Sequence, residues 1–287
     1  MIKLFNKVNE FKEYRKSLTS KSIGLVPTMG NLHSGHLSLI SQSALENEVT
    51  IVTIFVNPLQ FGPNEDFDKY PRTLEQDIQK IESLSIDRDI LILSPSDPKE
   101  IYPDNFSTTI SIKGLTENLC GASRPGHFDG VTTVVYQLFK IAAPKTAYFG
   151  QKDFQQQLVI KKMVNDLDLP VEVKTMPIVR EESGLAKSSR NQYLSDQQIL
   201  EALELNQTLN KISDILTNQT YLDASIDLNS LLEPIIKDSR WEYLEILDSE
   251  NLQEITPKTN SAVILGALKI GSTRLIDNQV TKIQYAR

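Results

Sequence analysis

The hydrophobic positions in the first part of the chain fall into short continuous runs separated by longer amphipathic segments. The apolar runs at residues 22–26 and 49–56 are rich in β-branched side chains, as is typical of strands buried on both faces of a parallel sheet. Weaker runs of the same kind lie at residues 89–93 and 146–149. The segments between these runs predict helices over residues 36–46, 73–84, 131–142 and 154–167. This alternation of strand and helix predicts a doubly wound α/β domain with a parallel sheet.

The pattern changes after residue 170. Residues 171–179 (VEVKTMPIV) are strand-like, and a polar loop that contains glycine follows them. The elements predicted beyond that loop are two helices and two strands, at residues 196–216, 222–238, 242–247 and 262–270. This order predicts a smaller α+β domain. We place the boundary so that residues 1–175 form the first domain and residues 176–287 the second.

Composition narrows the classes of function. The 30 Lys and Arg against 37 Asp and Glu leave a net charge of −7, so the chain lacks the basic field that nucleic acid or an anionic membrane would attract. No stretch approaches the roughly 18 apolar residues of a membrane span. The single cysteine, Cys120, excludes a disulfide within the chain and a Cys-cluster zinc site, and favours a reducing, cytoplasmic compartment. We therefore expect neither a nucleic-acid nor a membrane partner, while a small phosphate-bearing ligand remains compatible.

Candidate chemistry concentrates where predicted strands run into helices. Residues 27–36 (PTMGNLHSGH) follow the first buried strand and combine flexible glycines, free N–H groups at a helix start and two imidazoles, His33 and His36, on one helical face. Isolated histidines are more often structural or solvated than catalytic. However, all three histidines of the chain, His127 included, lie near glycine in turn-like segments. This grouping favours a phosphate-binding site.

Three further segments have the residue types that such a site needs. Within residues 149–156 (FGQKDFQQ), Lys152 is placed to meet phosphate, and Asp153 to accept from a ribose hydroxyl or act near a metal. Capping of the helix is the alternative role of Asp153, and it is compatible with the other two. Residues 182–191 (ESGLAKSSRN) have the hydroxyls and cations of a loop that closes over phosphates, a composition also typical of a solvated turn. Gln60 lies in the segment that follows the second buried strand, at the edge where open α/β sheets bind ligands.

Five segments match one known family in order and spacing: PTMGNLHSGH, FVNPLQFGPNEDFDKYPRT, RPGHFDGVTTVV, FGQKDFQQ and GLAKSSRNQYL. Along essentially its entire length the chain resembles the pantoate–β-alanine ligases, or pantothenate synthetases. The resemblance implies a Rossmann-like ATP-binding domain, a C-terminal lid domain and a homodimer. It also implies a two-step reaction, in which pantoate and MgATP give pantoyl adenylate and pyrophosphate, and β-alanine then attacks the acyl carbon to give pantothenate and AMP.

The resemblance further implies roles for individual residues. His36 corresponds to the proton donor of the family, Gln60 and Gln156 match the glutamines that hold pantoate, and Gln60 also lies near the β-alanine site. Asp77 matches an acidic residue near the pyrophosphate and Mg²⁺. The other residues expected to take part in catalysis are His33, Lys152, Ser188, Ser189 and Arg190. The expected ATP contacts are Met29, Gly30, Asn31, Leu32, His33, Ser34, Gly35, His36, Gly150, Gln151, Lys152, Asp153, Val179, Lys187, Ser188, Ser189 and Arg190.

The chain departs from the family pattern at Lys187, a position that is commonly Met or Leu. Two other functions compete with the ligase interpretation. One is another adenylate-forming nucleotidyltransferase, such as a tRNA-charging enzyme or a dinucleotide-forming adenylyltransferase. This acidic chain lacks the basic surface that tRNA docking needs. The other is a nucleotide-binding regulatory module without catalysis, against which the full set of catalytic-type residues argues.

Overall fold

The computed structural model describes residues 1–63 and 65–285 and divides into two compact units. The first unit comprises Met1–Gln151 and Gln155–Pro177. The second unit comprises Lys152–Phe154 and the chain from Ile178 onward. No helix among the described residues combines the length and the apolar character that crossing a membrane requires.

Within the described part of the first unit, six parallel strands form one sheet. Their spatial order is β1 (Ile2–Phe5), β4 (Asp89–Leu93), β3 (Val49–Ile54), β2 (Ile23–Thr28), β5 (Thr146–Gly150) and β6 (Glu172–Met176). The chain runs outward from β2 through β3 to β4 and returns as β5 on the other side of β2. The carboxyl ends of β2 and β5 therefore flank a topological switch point, which is where sheets of this kind bind ligands.

Apolar side chains on both faces bury this sheet beneath helices. All six residues of β3 are buried, as its run of Val, Ile and Thr predicts. Leu39 and Ile40 pack in one core cluster with Val26 of β2 and Tyr148 of β5. The helices of this part of the chain are α1 (Val8–Lys16), α2 (Ser34–Glu46), α3 (Leu74–Glu82), α4 (Leu119–Ser123), α5 (His127–Ala142) and α6 (Phe154–Asp166).

The second unit has two helices packed with an antiparallel sheet of three strands, counted over the described residues. The elements are α7 (Asp196–Asn218), α8 (Tyr221–Ile236), β7 (Trp241–Asp248), β8 (Ser261–Ile270) and β9 (Thr273–Lys282). Gly266 of β8 allows α7 to approach closely, because a Cβ atom there would lie 2.7 Å from Leu205 Cδ1. This unit is built around its own apolar core.

The predicted fold class, a doubly wound parallel sheet with a smaller α+β part, is confirmed. Among the α-helices and strands of the described residues, four were not predicted: β1, α1, α4 and β9. The helix predicted from residue 131 begins at His127, after Gly126 in a left-handed conformation with φ of 80°. His127 is therefore buried in the first turn of a helix, whereas the sequence suggested a turn-like environment.

Candidate active site

The loop between β2 and α2 leads into the H-x-G-H segment, His33–His36, which begins α2 at the switch point of the sheet; the loop and this segment together, residues 29–36, are the H-x-G-H loop. Gly30 and Asn31 both adopt left-handed backbone conformations, with φ of 86° and 49°. A side chain at Gly30 would be strained and crowded, because its Cβ would lie 3.0 Å from Ile54 Cγ2 and 3.2 Å from Asp77 Oδ2. The glycine is thus needed for a tight turn that leads directly into the histidines.

The two imidazoles of this loop are packed together and cap the helix. The ring centroids of His33 and His36 are 4.1 Å apart. His33 Nδ1 accepts from the Gly35 N–H at 3.2 Å, and His36 Nδ1 accepts from the His33 N–H at 3.4 Å. Since Nδ1 accepts in each ring, the proton of each neutral imidazole lies on Nε2. Among the N–H groups at the start of α2, that of Gly35 is therefore engaged by the cap residue.

Asp77 has an environment that the sequence did not predict. Its carboxylate is 0 % exposed, and it accepts from the Asn31 N–H at 2.9 Å and from the Leu32 N–H at 2.7 Å. Thr73 Oγ1 donates to it at 3.2 Å, and the Lys80 ammonium lies 4.0 Å away. In the residues that the structure describes, no group of three or more His, Cys, Asp or Glu side chains is arranged to hold a metal ion.

Gln60 ends a short 3₁₀ turn (Pro58–Gln60) that leaves β3, and its side chain is fixed by Asn57. Asn57 Nδ2 donates to Gln60 Oε1 at 3.0 Å and to the Gly130 carbonyl at 3.1 Å. Tyr102 donates its hydroxyl to Asn57 Oδ1 at 2.8 Å, and burial raises the pKa of Tyr102, so that this donor stays protonated. Sequence reasoning missed Asn57; its only local signal is the Asn-Pro pair that begins the turn.

The backbone of Gln60 is held by a second network that includes two residues of the RPGHFDG motif. His127 Nδ1 lies 2.8 Å from the Gln60 carbonyl oxygen, and His127 Nε2 lies 3.0 Å from Arg124 Nη1. Arg124 Nε donates to Glu65 Oε1 at 2.8 Å. Burial raises the pKa of Glu65, but the hydrogen bonds and charge of Arg124 outweigh burial and hold that pKa below its ordinary value.

Three consecutive glutamines begin α6, and the structure separates their environments. Gln155 is buried, donates to the Leu115 and Asn118 carbonyls and accepts from the Cys120 N–H at 3.0 Å. Gln157 is buried and accepts from Thr175 Oγ1 at 2.9 Å. Gln156, the residue predicted to hold pantoate, is half-buried. The side-chain amides of Gln155 and Gln157 therefore make hydrogen bonds within the protein that stabilise the fold.

The second unit brings Lys152 together with the K-S-S-R loop. Lys152 and Ser188 line one small pocket, and Asn278 donates to the Lys152 carbonyl at 3.0 Å. The base of the loop is fixed by Arg180, whose guanidinium binds both carboxylate oxygens of the buried Asp277 at 2.6 and 3.0 Å. This bidentate, charge-assisted pair fixes Arg180 relative to β9.

Within that loop, several predicted contact residues have local partners. The Lys187 N–H donates to the Val179 carbonyl at 2.9 Å, and the Lys187 ammonium forms an ion pair with Glu181. Ser188 Oγ accepts from the Arg190 N–H at 3.3 Å and caps the 3₁₀ turn Ser189–Tyr193. The positive charge of Lys187 is therefore compensated by the Glu181 carboxylate, directly before the loop.

The predicted residues are divided between the two units. The first unit holds Met29–His36, Gln60, Asp77, Gly150, Gln151 and Gln156. Its β2, β3 and β5 end at one edge of the sheet, so Gly150, the last residue of β5, and Gln60, in the turn that follows β3, both lie at that edge. The second unit holds Lys152, Asp153, Val179, Lys187, Ser188, Ser189 and Arg190. Asp153 is exposed.

The amino-acid sequence is similar to those of pantothenate synthetases along most of its length. The family model described as Pantoate-beta-alanine ligase matches residues 3–280. A pantothenate synthetase of Acetivibrio thermocellus is 48% identical over 263 residues, which are 91% of this chain and 92% of that protein. One of Caldicellulosiruptor saccharolyticus is 47% identical over 96% of this chain and 98% of the relative.

Solved structures resemble the whole chain as well. The pantothenate synthetase of Thermus thermophilus is 40% identical, has a TM-score of 0.87 and covers 97% of this chain and 99% of its own. The pantoate–β-alanine ligase of Francisella tularensis, solved in complex with β-γ ATP and β-alanine, is 37% identical with a TM-score of 0.74, covering 98% of each chain. The chain belongs to the pantoate–β-alanine ligase family.

Proposed function

We propose that this ligase condenses pantoate with β-alanine through a pantoyl adenylate and releases AMP and pyrophosphate. The observation that carries the proposal is the H-x-G-H loop at the switch point of the sheet. Its two neutral imidazole rings each have their proton on Nε2. Such N–H donors suit the phosphates of a nucleotide. Support for ATP and β-alanine as ligands comes from the Francisella tularensis relative, which was solved with β-γ ATP and β-alanine.

In the first step, a carboxylate oxygen of pantoate attacks the α-phosphorus of ATP, and the bond to the pyrophosphate oxygen breaks. Negative charge grows on the departing pyrophosphate. N–H donors of His36 and His33 that strengthen as this charge develops stabilise the transition state more than they stabilise bound ATP. Lys152, Ser188, Ser189 and Arg190 add donors and positive charge from the second unit. Met29–His36, Gly150, Gln151, Asp153, Val179 and Lys187 complete the proposed ATP contacts.

Gln60 and Gln156 are proposed to hold pantoate because they are neutral. A bidentate arginine would stabilise the pantoate carboxylate in the ground state and weaken its attack on the α-phosphorus. Amides orient the substrate through its hydroxyls without this penalty. Asn57 fixes Gln60 Oε1 as an acceptor, which leaves the Gln60 Nε2 group as the donor end of that amide.

In the second step, the neutral amine of β-alanine attacks the acyl carbon of the adenylate. The bond between that carbon and the phosphate oxygen breaks, AMP leaves with the electron pair, and the amine gives up a proton as the amide forms. Gln60 is proposed to lie beside β-alanine in this step. No cysteine is required, since the adenylate already activates the acyl group, and Cys120 is buried.

Magnesium enters the proposal only as the companion of the ATP phosphates. The Asp77 carboxylate does not fit a magnesium ligand in this structure, because both oxygens accept loop N–H groups and the Lys80 ammonium lies 4.0 Å away. A hard cation prefers carboxylate oxygens that are accessible to it and to its bound waters. No step is therefore assigned to a metal held by the protein.

The remaining parts of the proposal concern organisation. Residues 1–175 would bind ATP and pantoate, and residues 176–287 would act as a lid that presents the K-S-S-R loop. The working form would be a homodimer in the cytoplasm, with no nucleic-acid or membrane partner.

The deciding experiment is a product assay in which pantoate, β-alanine and ATP are omitted in turn. The proposal requires AMP and pyrophosphate in equal amounts with pantothenate. Pyrophosphate release should need pantoate but not β-alanine, because adenylation precedes amide formation. ADP and phosphate as products would reject the adenylate, and no turnover by a folded protein would favour the regulatory module.

A further inference from the structure

We propose that Asp77 is a positioning residue that clamps the H-x-G-H loop, in place of the magnesium role that its place in the family motif suggests. The inference rests on the proposed function, since it concerns how His33 and His36 are presented to the nucleotide. Asp77 lies on α3, and its carboxylate reaches across to the loop that follows β2.

The geometry is that of an anion held by consecutive backbone N–H groups. The Asn31 N–H donates to Asp77 Oδ2 at 2.9 Å, and the Leu32 N–H donates to Oδ1 at 2.7 Å. Left-handed backbone at Gly30 and Asn31 turns these neighbouring N–H groups the same way. Such concavities commonly bind phosphate or another anion. Here the anion is the protein's own carboxylate, so Asn31 and Leu32 would contact ATP through atoms other than these two N–H groups.

Asp77 stabilises an uncommon backbone conformation of the loop. Few residues other than glycine adopt the left-handed region; Asn is one of them, and the Asp77 carboxylate accepts from the N–H of Asn31 in that conformation. Asp77 Oδ2 also limits the space at Gly30, where a Cβ atom would approach it to 3.2 Å. Lys80, one turn later on α3, donates to the Leu32 carbonyl at 2.7 Å. Two side chains of α3, Asp77 and Lys80, therefore form hydrogen bonds with the N–H and the C=O of Leu32, the residue directly before His33.

The clamp has a direct consequence for the imidazoles. His33 is the cap residue of α2, and its N–H is the group that His36 Nδ1 accepts. A shift of Leu32 would therefore change the direction of both rings. Displacement of a catalytic donor affects the transition state more than the bound substrate when that donor acts on developing charge.

Asp77→Asn tests the clamp, with Glu75→Gln as the matched control. An asparagine keeps the shape of Asp77 but turns an NH₂ donor toward one of two loop N–H groups, so that one hydrogen bond is lost. Glu75 lies on the same helix and is exposed, and its replacement removes the same charge. We expect kcat of Asp77→Asn to fall on the order of 10- to 100-fold with a smaller change in the KM for ATP. The kcat and the KM for ATP of Glu75→Gln should equal those of the wild type.

Two measurements separate a clamp from a metal ligand. The Mg²⁺ concentration that gives half-maximal rate should be unchanged in Asp77→Asn, and calorimetric binding of ATP in EDTA should weaken by the same factor as binding of MgATP. Hydrogen–deuterium exchange of the peptide that covers residues 29–36, without any substrate, should be faster in Asp77→Asn and unchanged in Glu75→Gln. A raised Mg²⁺ requirement, with wild-type ATP binding in EDTA and wild-type exchange, would overturn the proposal.

Lys80→Met covers the case in which Asp77→Asn does not fold, because the Lys80 side chain is 40% exposed. We expect faster exchange of residues 29–36 and a lower kcat with an unchanged Mg²⁺ requirement. Wild-type exchange together with wild-type kcat in a folded Lys80→Met protein would count against the clamp. Failure of the proposed function would appear as a wild-type protein that forms no AMP. The exchange measurements need no turnover, so they test the clamp independently of that outcome.

Discussion

His127 Nδ1 lies 2.8 Å from the carbonyl oxygen of Gln60. A carbonyl only accepts hydrogen bonds, so Nδ1 holds the ring proton, and the guanidinium of Arg124 only donates, so Nε2 is the acceptor. His127 is thereby a neutral ring in one defined tautomer. With Glu65 bound to Arg124, a chain of contacts runs from an ion pair to the residue proposed to orient pantoate.

This relationship predicts how His127 variants behave. His127→Ala leaves the Gln60 carbonyl without its buried donor, and loss of such a bond costs about 1–3 kcal/mol. We expect the KM for pantoate to rise roughly tenfold or more, with little change in the KM for ATP. His127→Asn keeps an N–H donor near the position of Nδ1 and should recover much of the loss. Steady-state kinetics in both substrates checks this, and an unchanged pantoate KM in His127→Ala would contradict it.

The two nitrogens of His36 allow its structural and chemical roles to be separated. His36→Asn retains an acceptor for the His33 N–H but loses the Nε2 donor. Removal of a proton-donating group typically costs on the order of 10²–10⁴ in rate, so we expect kcat to fall within that range. The melting temperature and the KM for ATP should change little. A folded His36→Asn enzyme with wild-type kcat would leave the histidine only its capping role.

The parts of this fold that the sequence predicts are those in which one local pattern dominates. The run VTIVTI is buried at every position and is apolar or β-branched throughout, so β3 was predicted from its composition. β9 was missed because it contains the buried polar residues Asp277 and Asn278. Their partners, Arg180 and the Lys152 carbonyl, are distant in sequence. Burial compensated by distant partners leaves no local signal.

The same distinction applies to the candidate site. The strand, glycine turn and helix around His33 and His36 are contiguous, and the packing of the two rings follows from their spacing. The clamp by Asp77 was not predictable, because the sequence LEQDIQKIE is typical of an amphipathic helix whose acidic residues belong to its polar face. Only the tertiary contact shows that Asp77 is buried.

The ion pair between Lys187 and Glu181 predicts a mild phenotype for substitution of Lys187. A cation that is partly exposed and already paired contributes about 0–1 kcal/mol, and its removal leaves the chemistry unchanged. Lys187→Met should form the same products with kcat within about fivefold of the wild type. In Arg190→Ala, kcat should fall by considerably more than fivefold. A nearly inactive Lys187→Met enzyme, together with an active Arg190→Ala enzyme, would show that the catalytic cation of the loop is Lys187 and not Arg190.

Acid stability of the first unit should depend on Glu46. Lys174 donates to its carboxylate at 2.7 Å, Tyr148 at 2.6 Å and Gln42 at 2.7 Å. These partners, Lys174 foremost, lower the pKa of Glu46 from about 4.5 to about 2. The folded protein therefore binds this proton less readily than the unfolded chain. Glu46 stabilises the fold above about pH 4.5, and this contribution is lost as the pH falls from about 4.5 to about 2.

Glu46→Gln tests that dependence, because glutamine retains the shape without the charge. The free energy of unfolding, measured by denaturant titration from pH 7 to pH 2, should be lower for Glu46→Gln than for the wild type at neutral pH. The two curves should converge as the pH approaches 2, since the wild-type carboxylate is then protonated. Glu172→Gln is the control, because this exposed carboxylate lies 4.0 Å from the same lysine and should follow the wild-type curve. Parallel curves for Glu46→Gln and the wild type across the whole range would show that Lys174 and Tyr148 do not stabilise the ionised form.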